Sequence, residues 1–229
     1  MGNLSEFLME ELNVATAFTI PIFGGIEVAE STVISWVIMA IIVILTLVLT
    51  RNMRVEKPGK LQVGVEYTVT ALQNLVRGII GHEGERYVPY LSTVLVFLGI
   101  SNIFAIFGMK PPTKDLNVTA ALALMSIILV QAASIRQNKV GGWLKGFTKP
   151  FKVITPLNVM ELAIRPLSLC MRLFGNVMGA FVVMKLLEHL VPVILPAVFS
   201  LYFDFFDGLL QAYVFVFLTG LYIKEAVEE

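Results

Sequence analysis

Three stretches of this chain run for about the thickness of a bilayer without one charged residue. They are 31–50 (STVISWVIMAIIVILTLVLT), 88–109 (VPYLSTVLVFLGISNIFAIFGM) and 116–135 (LNVTAALALMSIILVQAASI). A soluble fold of this size needs charged surface, yet 57% of the 229 residues are hydrophobic and only 15% are charged. That balance argues against a soluble domain. Two further segments, 153–191 and 193–223, are mostly apolar but carry ionisable groups. The pattern predicts an all-α integral membrane protein with five long hydrophobic helices.

A sixth helix is expected at 61–80. Leu61, Val65, Val69, Leu72, Val76 and Ile79 fall on one face there, and Gln62, Glu66, Thr70, Gln73 and Arg77 on another. Such a stripe suits an in-plane amphipathic helix at the membrane interface, or a helix packed on another subunit. The basic runs RNMRVEKPGK (51–60) and RQNKVGGWLKGFTKPFK (136–152) belong on the cytoplasmic side by the positive-inside rule. The N-terminus is then outside and the C-terminal KEAVEE inside, with KPPTKD (110–115) outside despite its lysines. MGNLSEFLMEEL has no basic n-region, so no cleavable signal peptide is expected, and Glu6 disqualifies MGNLSE as a myristoylation site. No repeat or linker divides the chain. The expected organisation is one membrane domain, 1–229, with an external segment 1–30, a first span 31–50, the interfacial helix 61–80, a helical hairpin 88–135 and a two-helix unit 153–226.

Several functions are excluded or unsupported. Zero net charge gives no footprint for nucleic acid. The single cysteine, Cys170, rules out an internal disulfide or a cysteine metal cage. His82, in GHEGER, has no second ligand nearby, so no metal site is expected. No phosphate-binding loop, nucleophile elbow or zinc-protease motif occurs, so no catalytic constellation and no nucleotide site is read.

The chemistry lies in the polar residues of the last two segments. With 153–191 as one helix, Glu161, Arg165, Ser168, Arg172, Asn176 and Gly179 share a face. An arginine at a helix centre costs about 2.5–3.5 kcal/mol in lipid, so this stripe should meet protein or water. Arg172 is either a structural ion-pair partner, with Asp204 or Asp207, or a fixed charge on an ion path; an arginine keeps its charge where a desolvated lysine can lose it. Ser168, Gly175 and Gly179 would let another helix come close. Asp204, Asp207 and Gln211 stand at i, i+3 and i+7 and would share a helix face, as an outward-opening ion relay or as partners for Arg165 or Arg172. Glu188 and His189 lie at the outer end of the preceding helix, as an interfacial cap or an outer vestibule.

These residues resemble a known family. LSLCMRLFGNVMGA (167–180) is similar to the arginine-bearing motif of subunit a of F-type ATP synthases, whose core reads L-R-L-F-G-N. DLNVTAALAL (115–124) and LLQAYVFVFLTGLYIKEA (209–226) resemble two more signatures of that family in the same order, and the likeness covers about residues 30–226. The resemblance implies a membrane stator subunit that is not catalytic for ATP by itself. It implies that Arg172 is the essential stator arginine facing each rotor carboxylate, that Gln211 lies against it, and that Asn176 lines the aqueous path. Glu161 matches an acidic position of related bacterial sequences. The last two helices would be long and tilted along the rotor ring, with two offset half-channels beside the arginine. Implied partners are the rotor ring of subunit c, the peripheral-stalk subunit b and membrane lipid; the cargo would be H+ or Na+, with no cofactor. The absence of a transit peptide and the length favour a multi-pass protein of a bacterial plasma membrane.

The sequence also departs from the family. Phe181 stands where many members have Glu, Asp204 where many have His or Glu, and Met171 replaces the usual Leu. Asp204 and Asp207 are therefore expected to carry the titratable role of the outer half-channel. Two other classes of function would also place polar groups in a membrane: a self-contained channel or transporter, and a passive scaffold.

Overall fold

The computed structural model describes residues 16–20, 26–51, 53–54, 58–82, 84–104, 111–146, 155–190 and 199–228. It begins with a small hairpin. β1 (Thr16–Ile20) pairs antiparallel with β2 (Ile26–Ala29), with Thr16 opposite Ala29 and Ile20 opposite Ile26. The all-α reading missed it. Both strands are rich in β-branched residues, and pairing satisfies their backbone groups before the first helix begins.

α1 (Glu30–Thr50) follows without a break. Its hydroxyls are folded inward: Ser35 donates to Ser31 O at 2.9 Å, Thr46 to Ile42 O at 2.8 Å and Thr50 to Thr46 O at 2.7 Å. A helix in hydrocarbon can carry such residues because its own carbonyls satisfy them. Ile44, Leu47 and Val48 point away from the rest of the chain.

α2 (Lys60–Ile80) is a helix at the place where a sixth was expected. Its apolar stripe is buried only towards the C-terminal end: Leu61 is 78% exposed, whereas Val76 and Ile79 are buried. That end docks on the bundle where a Cβ on Gly220 would come within 2.9 Å of Ile79 Cγ2, so only glycine allows this approach. Gly81, at φ 77°, stops the helix in the left-handed region, and its N–H donates to Arg77 O. Arg77 also pairs with Glu85 at 3.3 Å.

α3 (Val88–Ile103) starts where the second uncharged run starts, and residues 105–110 lie outside the described residues. α4 (Leu116–Gly146) runs past the expected end at 135 and kinks at Lys139, whose φ of 56° and ψ of 164° are not helical. Trp143 Nε1 reaches back across the kink to Gln131 Oε1 at 2.9 Å. The basic segment 136–146 is thus helix rather than loop. α5 (Thr155–Leu190) contains Pro166, and α6 (Gly208–Glu228) is preceded by a π-helical stretch, Leu201–Asp207.

Among the described residues four helices are long and apolar enough to cross a membrane: Glu30–Thr50, Leu116–Trp143, Thr155–Leu187 and Leu201–Val227. α3, at 16 described residues, falls short of that length. α6 lies at the centre of the packing, against α2, α3, α4 and α5. Phe215, Val216 and Ile223 of α6 join Leu91 and Leu98 of α3, Ile127 and Val130 of α4, and Leu169 and Leu173 of α5 in one apolar cluster.

Candidate functional site

α5 has two faces. Leu169, Cys170 and Leu173 are buried. They belong to the face that packs on α4, where the Thr119 hydroxyl lies 3.6 Å from the Cys170 sulfur. The other face is open and carries Leu167, Met171, Arg172, Gly175, Asn176 and Gly179, all but Leu167 and Met171 polar or small. A Cβ on Gly175 or Gly179 would meet nothing within 4 Å. Of the six residues that helical spacing placed on one side, Glu161, Arg172, Asn176 and Gly179 are exposed, while Arg165 and Ser168 are half-buried.

Arg172 sits one turn before Asn176 on this open face. Among the described residues it makes no ion pair and no hydrogen bond. A partnership with Asp207 is therefore absent, while the side chain of Asp204 lies outside the described residues. Asn176 Nδ2 donates to Gln211 Oε1 at 2.6 Å, joining α5 to α6. Gln211 is 2% exposed, and its Nε2 has no partner among the described residues. An amide donor left unpaired in the interior is costly unless something reaches it.

Arg165 does find carboxylates, but not the aspartates considered from sequence. Its Nη2 donates to Glu161 Oε2 at 3.0 Å and to Glu225 Oε1 at 2.9 Å, and its guanidinium lies 5.0 Å from the Tyr222 ring centroid. Glu225 was not among the candidate residues read from sequence, although it lies in the motif 209–226. The signal was its position about four helical turns after Gln211, on nearly the same face.

The aspartates stand in a different geometry from the one their spacing suggested. Leu201–Asp207 is π-helical, so the turn holding Asp204 and Asp207 takes up more residues than an α-turn, whereas Asp207 and Gln211 are one turn apart where the α-helix begins. Asp207 is half-buried and forms no ion pair among the described residues. The side chains of Asp204, Glu188 and His189 lie outside the described residues.

Two buried polar groups complete the surroundings. Asn102 Nδ2 donates to Gly208 O at 2.8 Å and its Oδ1 accepts from Thr113 Oγ1 at 2.8 Å, which fixes the junction between the π-turn and α6. Asp115, 4% exposed, accepts from Asn117 N–H at 2.9 Å at the start of α4 and from Ser31 Oγ of α1. The DLN motif thus caps one helix and ties it to another. Phe181 lies under Lys114, whose Nζ is 3.4 Å from the ring centroid.

Residues 32–224 match a family described as ATP synthase A chain. A protein of Moorella thermoacetica named ATP synthase subunit a is 37% identical over 205 residues, covering 89% of this chain and 93% of the relative. One of Hahella chejuensis, named ATP synthase subunit a 1, is 33% identical, covering 90% and 87%. One of Propionigenium modestum, named as the sodium ion specific subunit a, is 31% identical, covering 89% and 75%.

Proposed function

The chain belongs to the ATP synthase A chain family, and from that premise we propose that it is the membrane stator subunit of a rotary ATP synthase. It is a multi-pass membrane protein, with four helices of spanning length and composition. In the proposed arrangement the open face of α5 lies against the rotor ring of subunit c, α2 lies in the plane of the membrane, and the peripheral-stalk subunit b holds the chain against rotation. The membrane is a bacterial plasma membrane, with the N-terminus outside. The chain binds no nucleotide or cofactor of its own.

The observation that carries this reading is Arg172: a guanidinium on the open face of a membrane helix, with no partner among the described residues, one turn from the Asn176–Gln211 bond. A charge without a partner in a membrane interior costs about 2.5–3.5 kcal/mol, so an anion supplied by another chain would stabilise it. A rotor carboxylate provides one. An ion enters past Asp204 and Asp207, with Glu188 and His189 at the mouth, and neutralises the rotor carboxylate beside Asn176 and Gln211. The neutral carboxyl can then rotate through lipid, whereas the ionised form would be held back by desolvation. After nearly a turn it meets the inward path near Glu161, loses its ion, and is drawn to Arg172. The fixed charge of Arg172 also keeps ions from passing straight between the two half-channels. Each 100 mV across the membrane supplies about 2.3 kcal/mol per charge moved, and several ions per turn drive synthesis.

The test is ATP-driven ion pumping in inverted vesicles carrying the whole complex. Arg172→Ala should abolish pumping while the complex still assembles; normal pumping would overturn the assignment. Purified alone in liposomes, the chain should conduct nothing, which separates this reading from a self-contained transporter. The ion itself is H+ or Na+. The likeness to a relative named as sodium ion specific makes the Na+ dependence of pumping the measurement that decides between them.

A further inference from the structure

Arg165 ties α5 to the far end of α6. A single nitrogen, Nη2, bonds carboxylates on both helices, Glu161 at 3.0 Å and Glu225 at 2.9 Å, and the guanidinium rests over Tyr222 of α6. Its side chain is 23% exposed, while those of Glu161 and Glu225 are about half exposed. Pro166 comes next in sequence, inside the helix. Proline has no N–H and its ring crowds the carbonyl four residues back, so α5 lacks a backbone hydrogen bond at Leu162 and can bend there. The Glu161–Arg165 bridge spans that turn, and Glu225 fastens it to α6.

The placement matters because of what lies between the two crossings. α5 and α6 run antiparallel, with Asn176 meeting Gln211 at one height and Arg165 meeting Glu225 at another. Arg172 falls between them, two turns or about 10 Å along the axis from Arg165. A bend at Pro166 would move one end of this segment against the other and shift Arg172 with it. An isolated exposed pair contributes little rigidity, but here two carboxylates and a ring converge on one mostly shielded guanidinium.

We propose that Arg165 is a positioning residue, clamping the proline-weakened turn of α5 to Glu225 of α6 so that Arg172 keeps a fixed position against the rotor. The inference rests on the stator reading of Arg172. Its test uses inverted vesicles with the whole complex and reads ions pumped per ATP hydrolysed, with complex content measured alongside. Arg165→Gln and Glu225→Gln should each lower that ratio at least threefold with complex content unchanged. Arg165→Lys, which keeps the charge and the donors, should retain at least half of the wild-type ratio. The clamp is overturned if both glutamine variants keep the wild-type ratio, if they lose complex while the ratio per complex stays constant, or if lysine falls as far as glutamine. Arg172→Ala in the same vesicles tests the underlying reading separately: pumping there removes the stator assignment, whereas its loss beside normal glutamine variants removes only the clamp.

Discussion

Asn176 of α5 gives its side-chain amide to the Gln211 carbonyl oxygen of α6 at 2.6 Å, from the open face of one helix to the buried face of the other. The bond satisfies Gln211 Oε1, while its buried Nε2 has no partner among the described residues. A buried donor in that state is available to a ligand that comes and goes, such as water or the proton-bearing oxygen of a carboxyl group.

The two side chains should therefore act as one unit. Asn176→Ala and Gln211→Ala are each expected to lower ATP-driven pumping by roughly tenfold, about 1.4 kcal/mol in the barrier. The double variant should be no worse than the more damaged single one, because either change already breaks the bond. Pumping rates of the four proteins in vesicles provide the cycle; simple multiplication of the two losses would show that the residues act separately.

Gly179 offers a way to separate folding from docking. A side chain there meets nothing within 4 Å in this chain, so Gly179→Leu should leave the stability of the subunit unchanged to within about 0.5–1 kcal/mol, the helix propensity term even favouring leucine. The same side chain would obstruct any chain lying on the open face of α5. The expected outcome is a normally inserted subunit whose pumping falls at least tenfold, measured with complex content in the same vesicles. Unchanged pumping would mean that the rotor passes elsewhere.

Much of this arrangement could be read from residues that repeat at helical spacing. The uncharged run at 31–50 became α1 almost residue for residue, because lipid-length apolar runs have few other solutions. Of the polar stripe on α5, Glu161, Arg172, Asn176 and Gly179 are exposed, whereas Arg165 and Ser168 are half-buried. What spacing could not reveal came from broken periodicity and from tertiary partners. The π-turn at Leu201–Asp207 interrupts the helical period ahead of Gln211, and the bond that holds its end comes from Asn102, about a hundred residues earlier. Glu225, not singled out from sequence, is carried to Arg165 by α6. The hairpin at Thr16–Ile20 was hidden because a short exposed pair of strands carries no long apolar signal.

Asp115 should be worth more to stability than its place in a loop suggests. Asp115→Ala removes the acceptor for Asn117 N–H and for Ser31 Oγ together. Loss of such a cap costs about 1–2 kcal/mol. The expected result is a lower midpoint of thermal unfolding in detergent, with Ser31→Ala showing a smaller drop and the double variant adding little to Asp115→Ala. A drop from Ser31→Ala equal to that from Asp115→Ala would place the whole effect in the α1 contact rather than the cap.

The junction at Gly208 makes the sharpest demand on sequence. An added Cβ would lie 2.9 Å from Asn102 Cβ, closer than packed carbons tolerate, and the same glycine's carbonyl accepts the Asn102 amide at 2.8 Å. Gly208→Ala must push α3 and α6 apart, at about 1–3 kcal/mol for overpacking, and will lengthen the bond that holds the π-turn. Asn102→Ala removes the bond without the clash, leaving Thr113 Oγ1 without its buried acceptor. The two changes should therefore diverge when combined. Asn102→Ala cannot relieve a clash between Cβ atoms, because alanine keeps its Cβ, so the pair is expected to be at least as unstable as Gly208→Ala. Asn102→Gly removes that atom, and Gly208→Ala/Asn102→Gly should recover part of the unfolding midpoint lost in Gly208→Ala alone. Thermal unfolding of the purified subunit in detergent decides it. Absence of any recovery relative to Asn102→Gly alone would mean that the contact with Asn102 Cβ is not what excludes a side chain at Gly208, whose φ of −59° and ψ of −43° any residue can adopt.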